Sequence, residues 1–297
     1  MKVNLMITSG SRAYGTNTDS SDYDTAGIYT PSLDVVFPHL SRKIIGFVPH
    51  CTEVPKVVTT ETVIGGIKHE STIFPIVKFI NGLLSGTPNC TEWLFIPDKH
   101  IKLIDSVGKY LRDNRETFIT KLLLKNIINY AAGQYHKAIP AAALEIRKFE
   151  IEHDIPHDVS YTDIEEESQH SKTHLSHLTD EELLQYRKLF KNSKRFYDNK
   201  KNGFDIKAAY HAQRLSYYCS NLLLYNDMRM GDKHQTDYLL AIRRGEISLT
   251  ELDTNLNLPQ LQEIEQSSFP AKLSDQIAER VLFDCLELNF GKLPSGY

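Results

Sequence analysis

The feature that most constrains this chain is an apolar segment that leads into a glycine–serine pair, followed by a loop and two closely spaced aspartates. Residues 3–8, VNLMIT, have the composition of a buried strand, and Gly10 and Ser11 come just after them. Asp22 and Asp24 open a second segment, which ends in GIY and is closed by a proline. The chain therefore has to place a turn and two acidic side chains at the ends of two strands.

This order of residues suits phosphate and metal chemistry. Gly10 has no side chain, so a ligand can approach its backbone closely, and exposed N–H groups at such a turn form a concavity for phosphate. Strand alternation puts Asp22 and Asp24 on one face and Tyr23 on the other. The two carboxylates repel each other unless a divalent cation lies between them, and Mg²⁺ is commonly held by one or two carboxylates plus substrate phosphates. The alternative is an ordinary turn beside a polar edge strand.

Composition excludes several classes of protein. The chain has 297 residues with a formal net charge of −4, so it is not a globally basic nucleic-acid coat, although a local basic patch is possible. No apolar run reaches the roughly 20 residues that a membrane span needs, and the N-terminus lacks the pattern of a secretory signal. The four cysteines contain no C-x-x-C pair, which is typical of buried free thiols in a reducing compartment. We expect a cytoplasmic protein with no membrane partner.

The chain changes character along its length. Residues 54–70 are rich in valine and threonine, with a turn at Gly65–Gly66, and helical spacing of apolar residues starts near Thr72. After about residue 100 the pattern is mainly helical, beginning with a helix over 101–113. A polar stretch over 153–174 is predicted to be an exposed loop. We predict a catalytic domain over residues 1–115 and a helical substrate- and nucleotide-binding domain over 116–297.

The motif G-S-x-x-Y-G-x-x-x-x-x-S-D-x-D-x-x-G-I-Y, at residues 10–29, resembles the active-site signature of the DNA polymerase beta superfamily of nucleotidyltransferases. It is most similar to a bacterial and phage branch, some members of which accompany RNA ligases in RNA-repair gene clusters. The segments 78–95, 202–215 and 239–248 are similar to later motifs of that branch, so the resemblance spans most of the chain. In the first of these, the order Thr87-Pro88-Asn89 departs from the Asn-Pro of the branch.

The resemblance implies an α+β fold, with a mixed-sheet nucleotidyltransferase domain followed by a helical domain. It implies transfer of a nucleoside monophosphate from a nucleoside triphosphate to an acceptor hydroxyl, with Mg²⁺ or Mn²⁺ as the cofactor. The expected acceptor is an RNA 3′ end, such as that of a damaged tRNA. Two alternatives stay open, which are nucleotidylation of a protein partner and a non-catalytic nucleotide-binding module. The expected nucleotide contacts near the motif are Gly10, Ser11, Arg12, Tyr14 and Ser21.

The superfamily adds a third acid to the two aspartates, both as a metal ligand and as acceptor of the proton from the attacking hydroxyl. Glu70 is the candidate by position, so the expected metal and catalytic set is Asp22, Asp24 and Glu70. The branch usually has aspartate there, and Glu61 and His69 are rival candidates; Glu70 could instead be an acid that favours a helix N-terminus. Lys78, in the following helix, is a candidate phosphate contact or a solvated lysine.

Two later segments carry further candidates. On a helix over 205–225, Lys207, His211, Arg214 and Tyr218 form a stripe without any acid, beside an apolar stripe expected in the core. We predict that Lys207, His211 and Arg214 contact the nucleoside triphosphate or an acceptor strand, the alternative being a polar solvent face. Residues 186–201 hold seven Lys or Arg against one Asp, with interleaved aromatic residues. Two interpretations stay open, which are RNA contact with base stacking on the aromatics, and an amphipathic helix with core aromatics and solvated lysines. The histidines over 153–177 have spacings that zinc ligands can have, but they are better explained as ordinary residues of a polar loop.

Overall fold

The computed structural model describes residues 1–19, 21–32, 35, 56–139, 141–156, 159, 161–167, 175–192 and 204–291. The chain divides into two compact units. One unit comprises Met1–Ile127, Tyr217–Thr236 and Pro259–Tyr297, and the other comprises Ile128–Ser216 and Asp237–Leu258. The predicted functional domains, 1–115 and 116–297, stay a prediction.

The first unit is built on a five-stranded mixed sheet. Its strands are β1 (Lys2–Thr8), β2 (Tyr23–Thr30), β3 (Val58–Ile64), β4 (Ile67–Pro75) and β5 (Ile101–Ile104). The spatial order is β3-β4-β2-β1-β5. Only β2 and β4 pair in parallel, and the other three pairs are antiparallel. A mixed sheet at the start of a mainly helical chain confirms the predicted α+β class.

Helices of the first unit pack against the strands of this sheet. They include the one-turn α1 (Gly10–Ala13), α2 (Ile76–Leu84), α3 (Pro88–Phe95) and α4 (Ser106–Asp113), and α5 (Lys121–Ala138) begins in the same unit. Helix α2 begins directly after Pro75, which has no N–H to donate and lies where a helix needs none. The Trp93 ring stacks on Phe79 of α2, with centroids 5.8 Å apart, and meets Phe74 of β4 edge-on at 4.9 Å. These rings fasten the helical layer to the strands.

Polar contacts tie α4 to the centre of the sheet. Asp105 caps the helix, because its Oδ1 accepts hydrogen bonds from the N–H groups of Val107 at 2.9 Å and Gly108 at 3.1 Å. The buried Asn4 of β1 donates to Asp105 Oδ2 at 3.1 Å and accepts from the Thr30 hydroxyl at 2.7 Å. One side chain therefore joins β1, β2 and the start of α4.

The second unit has its own hydrophobic cluster. It is formed by Ile146, Phe149, Ile155, Val159, Ile164, Leu175, Tyr186 and Phe190. The Tyr186 hydroxyl donates to the buried Glu150 carboxylate at 2.9 Å, and the Arg147 guanidinium lies 3.4 Å from the same carboxylate. The described helices of the rest of the chain are α6 (Ala141–Glu152), α7 (Tyr161–Glu167), α8 (Asp180–Asn192), α9 (Ile206–Tyr225), α10 (Lys233–Arg244), α11 (Leu249–Asn255), α12 (Leu261–Gln266) and α13 (Asp275–Phe290).

The structure corrects three of the sequence expectations. Residues 101–104 are the edge strand β5, and the helix predicted over 101–113 begins only at Ser106, after its Asp105 cap. Helical spacing of apolar residues starts near Thr72, but β4 continues to Pro75. Part of the polar stretch over 153–174 forms the short helix α7. The first two errors have one cause, since a short apolar run fits a strand and a buried helix equally well.

The expectation about thiols holds where it can be checked. Cys90, Cys219 and Cys285 are free and buried, and burial raises the pKa of each to about 12. Cys51 lies outside the described residues. Among the helices of the described segments, none has both the length and the apolar composition to cross a membrane.

Candidate active site

The site starts from a close approach between Gly10 and Asp24. The β1–β2 ladder runs one step past its last strand pair, because the Ser9 N–H donates to the Asp24 carbonyl at 2.9 Å. Gly10 then turns the chain into α1 with φ +65°. A Cβ atom on Gly10 would overlap the Asp24 carboxylate oxygen Oδ2. Only glycine therefore fits here, for its backbone angle and for the space that the carboxylate occupies.

Arg12 fixes the loop that brings the chain back to β2. Its guanidinium donates to the carbonyls of Ser21 at 3.0 Å and Asp22 at 3.2 Å. The buried Ser21 hydroxyl accepts the Thr18 N–H at 2.8 Å. Arg12 and Ser21, both expected to contact the nucleotide, are thus seen to shape the approach to Asp22. Their predicted contacts with a nucleotide stay a prediction.

Three carboxylates form a row across the neighbouring strands β2, β4 and β3. Asp24 of β2 lies opposite Glu70 of β4, and Glu70 lies opposite Glu61 of β3. Residues in register on paired strands share a face of the sheet. Lys68 bridges the two glutamates of the row, with its Nζ 3.0 Å from Glu61 and 3.2 Å from Glu70. Its hydrogen bonds to Glu61 and then Glu70 raise the pKa of Lys68, which keeps this lysine charged.

The oxygens at the start of β2 suit a hard divalent cation. Asp22 is exposed and lies two residues before Asp24, whose carboxylate is held against Gly10. Within the described residues, no three His, Cys, Asp or Glu side chains gather into a group that could hold a metal ion. A divalent cation at Asp22 and Asp24 would take phosphate oxygens and water as its further ligands. The three-carboxylate set of Asp22, Asp24 and Glu70 stays a prediction.

Tyr14, at the end of α1, links the turn to a buried acid. Its hydroxyl donates to Glu92 Oε1 of α3, and Glu92 is only 3% exposed. The ring also meets the Tyr218 ring edge-on, with centroids 6.1 Å apart. The side chain is thereby fixed beneath the turn. Glu92 lies in the segment 78–95 that carries the family resemblance, and this was the available signal for it.

The remaining predicted contacts are spread over both units. Lys78 is exposed on α2, with its Nζ 5.6 Å from the Phe74 ring centroid. Lys207, His211 and Arg214 belong to the second unit, where Lys207 is exposed, His211 is half-buried and Arg214 is buried. The apolar stripe of that helix is core, as predicted; its members are Ala208, Ala212, Leu215, Cys219 and Leu222. The nucleotide contacts of Lys78, Lys207, His211 and Arg214 stay predictions.

Base stacking on the basic segment is wrong for two of its aromatic residues. Tyr186 and Phe190 are fully buried in the core of the second unit, so their rings are unavailable to RNA. Lys188 and Lys191, on the same helix, are exposed. Residues 193–201, which hold most of the remaining positive charge, lie outside the described residues, as do His157, His170 and His174.

Sequence reasoning missed a group of side chains around Tyr23. His69, Lys102 and Arg12 all lie against its ring. Tyr23 contacts His69, its partner in register on β4, as expected for the face opposite Asp24. Lys102 gave no signal, because residues 101–113 had been interpreted as one helix.

Replacing Tyr14 with phenylalanine should destabilise the first unit. The buried Glu92 carboxylate would lose a hydrogen bond, and a bond to a charged group is worth about 1.5–3 kcal/mol. The free energy of unfolding, measured in urea, should fall by that amount for Tyr14→Phe. Tyr110→Phe is the matched control, because its hydroxyl donates at 2.5 Å to the half-buried Asp284, which water can still reach. Equal losses in the two variants would contradict the proposed burial effect.

A comparison with protein families gives a match that covers most of the chain. The model of a family described as "RlaP: RNA repair pathway DNA polymerase beta family" matches residues 1–241. A search of curated proteins found no match. The matched region contains the whole sheet, the turn at Gly10 and all three carboxylates of the row. The chain belongs to the RNA repair pathway DNA polymerase beta family.

Proposed function

We propose that this protein is a metal-dependent nucleotidyltransferase that adds a nucleoside monophosphate to the 3′ hydroxyl of an RNA, with damaged tRNA as the expected substrate. Family membership supports a polymerase-beta-like nucleotidyltransferase acting in RNA repair. The single observation that carries the proposal is the Asp24 carboxylate held over the bare backbone of Gly10, at the start of the strand that directly follows Asp22. This arrangement brings anionic metal ligands and a phosphate-binding turn together.

In the proposed reaction, Asp22 and Asp24 hold Mg²⁺ or Mn²⁺, and backbone N–H groups at Gly10 and Ser11 bind the terminal phosphates. The bound ion would neutralise charge on the phosphates. The acceptor oxygen attacks the α-phosphorus in line, the bond to the β-phosphate oxygen breaks, and pyrophosphate leaves. The proton of the acceptor hydroxyl passes to Glu70, which lies beside Asp24 in the carboxylate row. Catalysis of this kind consists mostly of positioning and electrostatics.

A second candidate is a non-catalytic nucleotide-binding module. The observation that favours it is the ion pair between Glu70 and Lys68. The expected third carboxylate is therefore already bound to a lysine. Metal-dependent turnover separates the two candidates. Nucleotidylation of a protein is the remaining alternative for the acceptor, and it is an outcome of the same assay.

The direct test offers the protein each class of acceptor in parallel reactions. The protein is incubated with Mg²⁺ or Mn²⁺, each nucleoside triphosphate labelled at the α-phosphate, and pooled tRNA, DNA or protein. We expect label in RNA with a free 3′ hydroxyl and none in RNA whose 3′ end was oxidised with periodate. Asp22→Asn/Asp24→Asn should reduce labelling by at least about 100-fold, because it removes the charges that hold the cation. Equal labelling by this variant would contradict the enzymatic proposal, and label in protein alone would overturn the RNA acceptor.

Gly10→Ala tests the contact that carries the proposal. The added methyl group would displace the Asp24 carboxylate, and a shift of about 1 Å in a reacting group can cost about 100-fold in rate. Gly15→Ala is the matched control: Gly15 has φ +71°, close to the +65° of Gly10, but its Cβ would meet only the Thr236 methyl, at 3.6 Å. Both variants carry the same backbone strain of about 1–2 kcal/mol. Only Gly10→Ala should lose transfer activity, and similar kcat values for the two would refute the role of the close approach.

Glu70→Gln and Glu61→Gln separate the two acids bound by Lys68. Each variant removes one of the two carboxylates that contact the lysine. If Glu70 accepts the proton, Glu70→Gln should lower kcat by about 100-fold or more, with the KM for the nucleotide little changed. Glu61→Gln should leave kcat within about threefold, because Glu61 accepts no proton in the proposed reaction. A larger loss in Glu61→Gln would transfer the role to Glu61.

A further inference from the structure

Tyr23 lies at the centre of a cationic cluster on the sheet face opposite the Asp24 carboxylate. The Lys102 Nζ is 4.3 Å from the Tyr23 ring centroid, and the Arg12 guanidinium carbon is 5.1 Å from it. The His69 ring stacks on Tyr23 with centroids 5.1 Å apart and an angle of 17° between the planes. We call these four side chains, Arg12, Tyr23, His69 and Lys102, the Tyr23 cluster.

The positive charge of the Tyr23 cluster is not neutralised by neighbouring acids. In the described part of the chain, no carboxylate lies within ion-pair distance, 4.0 Å, of Arg12 or Lys102. The cluster therefore offers a place for an anion.

The cluster is open to solvent and held in place. Lys102 is exposed on the edge strand β5, and Tyr23 is half-buried. Arg12 is fixed by its bonds to the carbonyls of Ser21 and Asp22. Because the His69 ring and the two cations already cover the Tyr23 ring, the cluster suits an anionic group better than a stacked base.

The position of the cluster points to a polymer rather than to the nucleotide itself. Tyr23 directly precedes Asp24, so the cluster and the carboxylate row lie at the same end of β2 but on opposite faces. A triphosphate bound at Gly10 and Asp24 occupies the carboxylate face. An RNA whose 3′ end meets that face carries further phosphodiesters upstream. These phosphodiesters can pass around the end of β2 to the face that carries the Tyr23 cluster.

We propose that the Tyr23 cluster binds a phosphodiester of the acceptor RNA, upstream of its 3′ end. This inference rests on the proposed function for the identity of the acceptor, but its test measures binding and not transfer. The site lies in the unit that contains the carboxylates, and the described part of the basic segment, residues 186–192, belongs to the other unit.

The probe is a fluorescein-labelled, single-stranded RNA oligonucleotide of mixed sequence, and anisotropy titrations are run over a range of salt concentrations. Each lost phosphate contact on a single strand should reduce the salt slope of log K by about 0.7, which corresponds to about fivefold in Kd at 0.1 M salt. We expect that change in Lys102→Ala, with the KM for the nucleotide unchanged. Tyr23→Leu should weaken RNA binding in the same way, because it removes the ring on which the cations rest.

Lys99→Ala is the matched control. Lys99 is an exposed lysine three residues before Lys102 and has no contact with the Tyr23 ring among the described residues, so its loss should leave the salt slope unchanged. Thermal unfolding of each variant checks that the fold is retained. An unchanged Kd and slope in Lys102→Ala would overturn the proposal, as would a raised nucleotide KM with normal RNA binding. If transfer is absent but Lys102→Ala still weakens RNA binding, the site stands and the proposed function fails.

Discussion

The site depends on one steric constraint, which is that the Asp24 carboxylate occupies the space where any residue other than glycine at position 10 would carry its Cβ atom. The constraint is set by the sheet. Because β1 and β2 pair antiparallel and the Ser9 N–H extends their ladder to the Asp24 carbonyl, the turn into α1 has to pass beside that side chain. Arg12 then fastens the returning loop through the carbonyls of Ser21 and Asp22. The backbone hydrogen bonds of two strands thus bring the turn at Gly10 to the Asp24 carboxylate.

Strand β2 divides the chemistry of this region between its two faces. On one face, Asp24, Glu70 and Glu61 form a row of carboxylates, and the two glutamates share Lys68. On the other face, Tyr23 gathers Lys102, Arg12 and His69. Successive side chains of a strand point to opposite faces of the sheet, so two residues that are adjacent in sequence serve different faces. The proposed metal-dependent transfer and the proposed anion-binding surface thus belong to opposite faces of one strand.

Prediction from sequence succeeded where a motif or a long period carried the information. The first two strands, the turn at Gly65–Gly66 and the apolar stripe of the helix Ile206–Tyr225 agree with the structure. It failed for residues 101–104, whose apolar run fits a helix or an edge strand, and Lys102 was overlooked for that reason. It also could not decide whether Tyr186 and Phe190 were core or RNA-binding, since the same amphipathic pattern serves both. Burial settles such cases, and burial is a property of the packed chain.

By itself, the sequence determined the family, the α+β class and the acidic pair at the start of β2, because these depend on local order, on residue type and on the period of a strand. The tertiary structure alone decided which side chains meet. Register between β2, β4 and β3 put Glu70 and Glu61 in line with Asp24, and the edge position of β5 brought Lys102 to Tyr23. Residues nearly 80 positions apart, such as Tyr14 and Glu92, joined through a buried hydrogen bond. Contacts of this kind are set by the pairing of strands and the packing of helices, which no local stretch of sequence specifies.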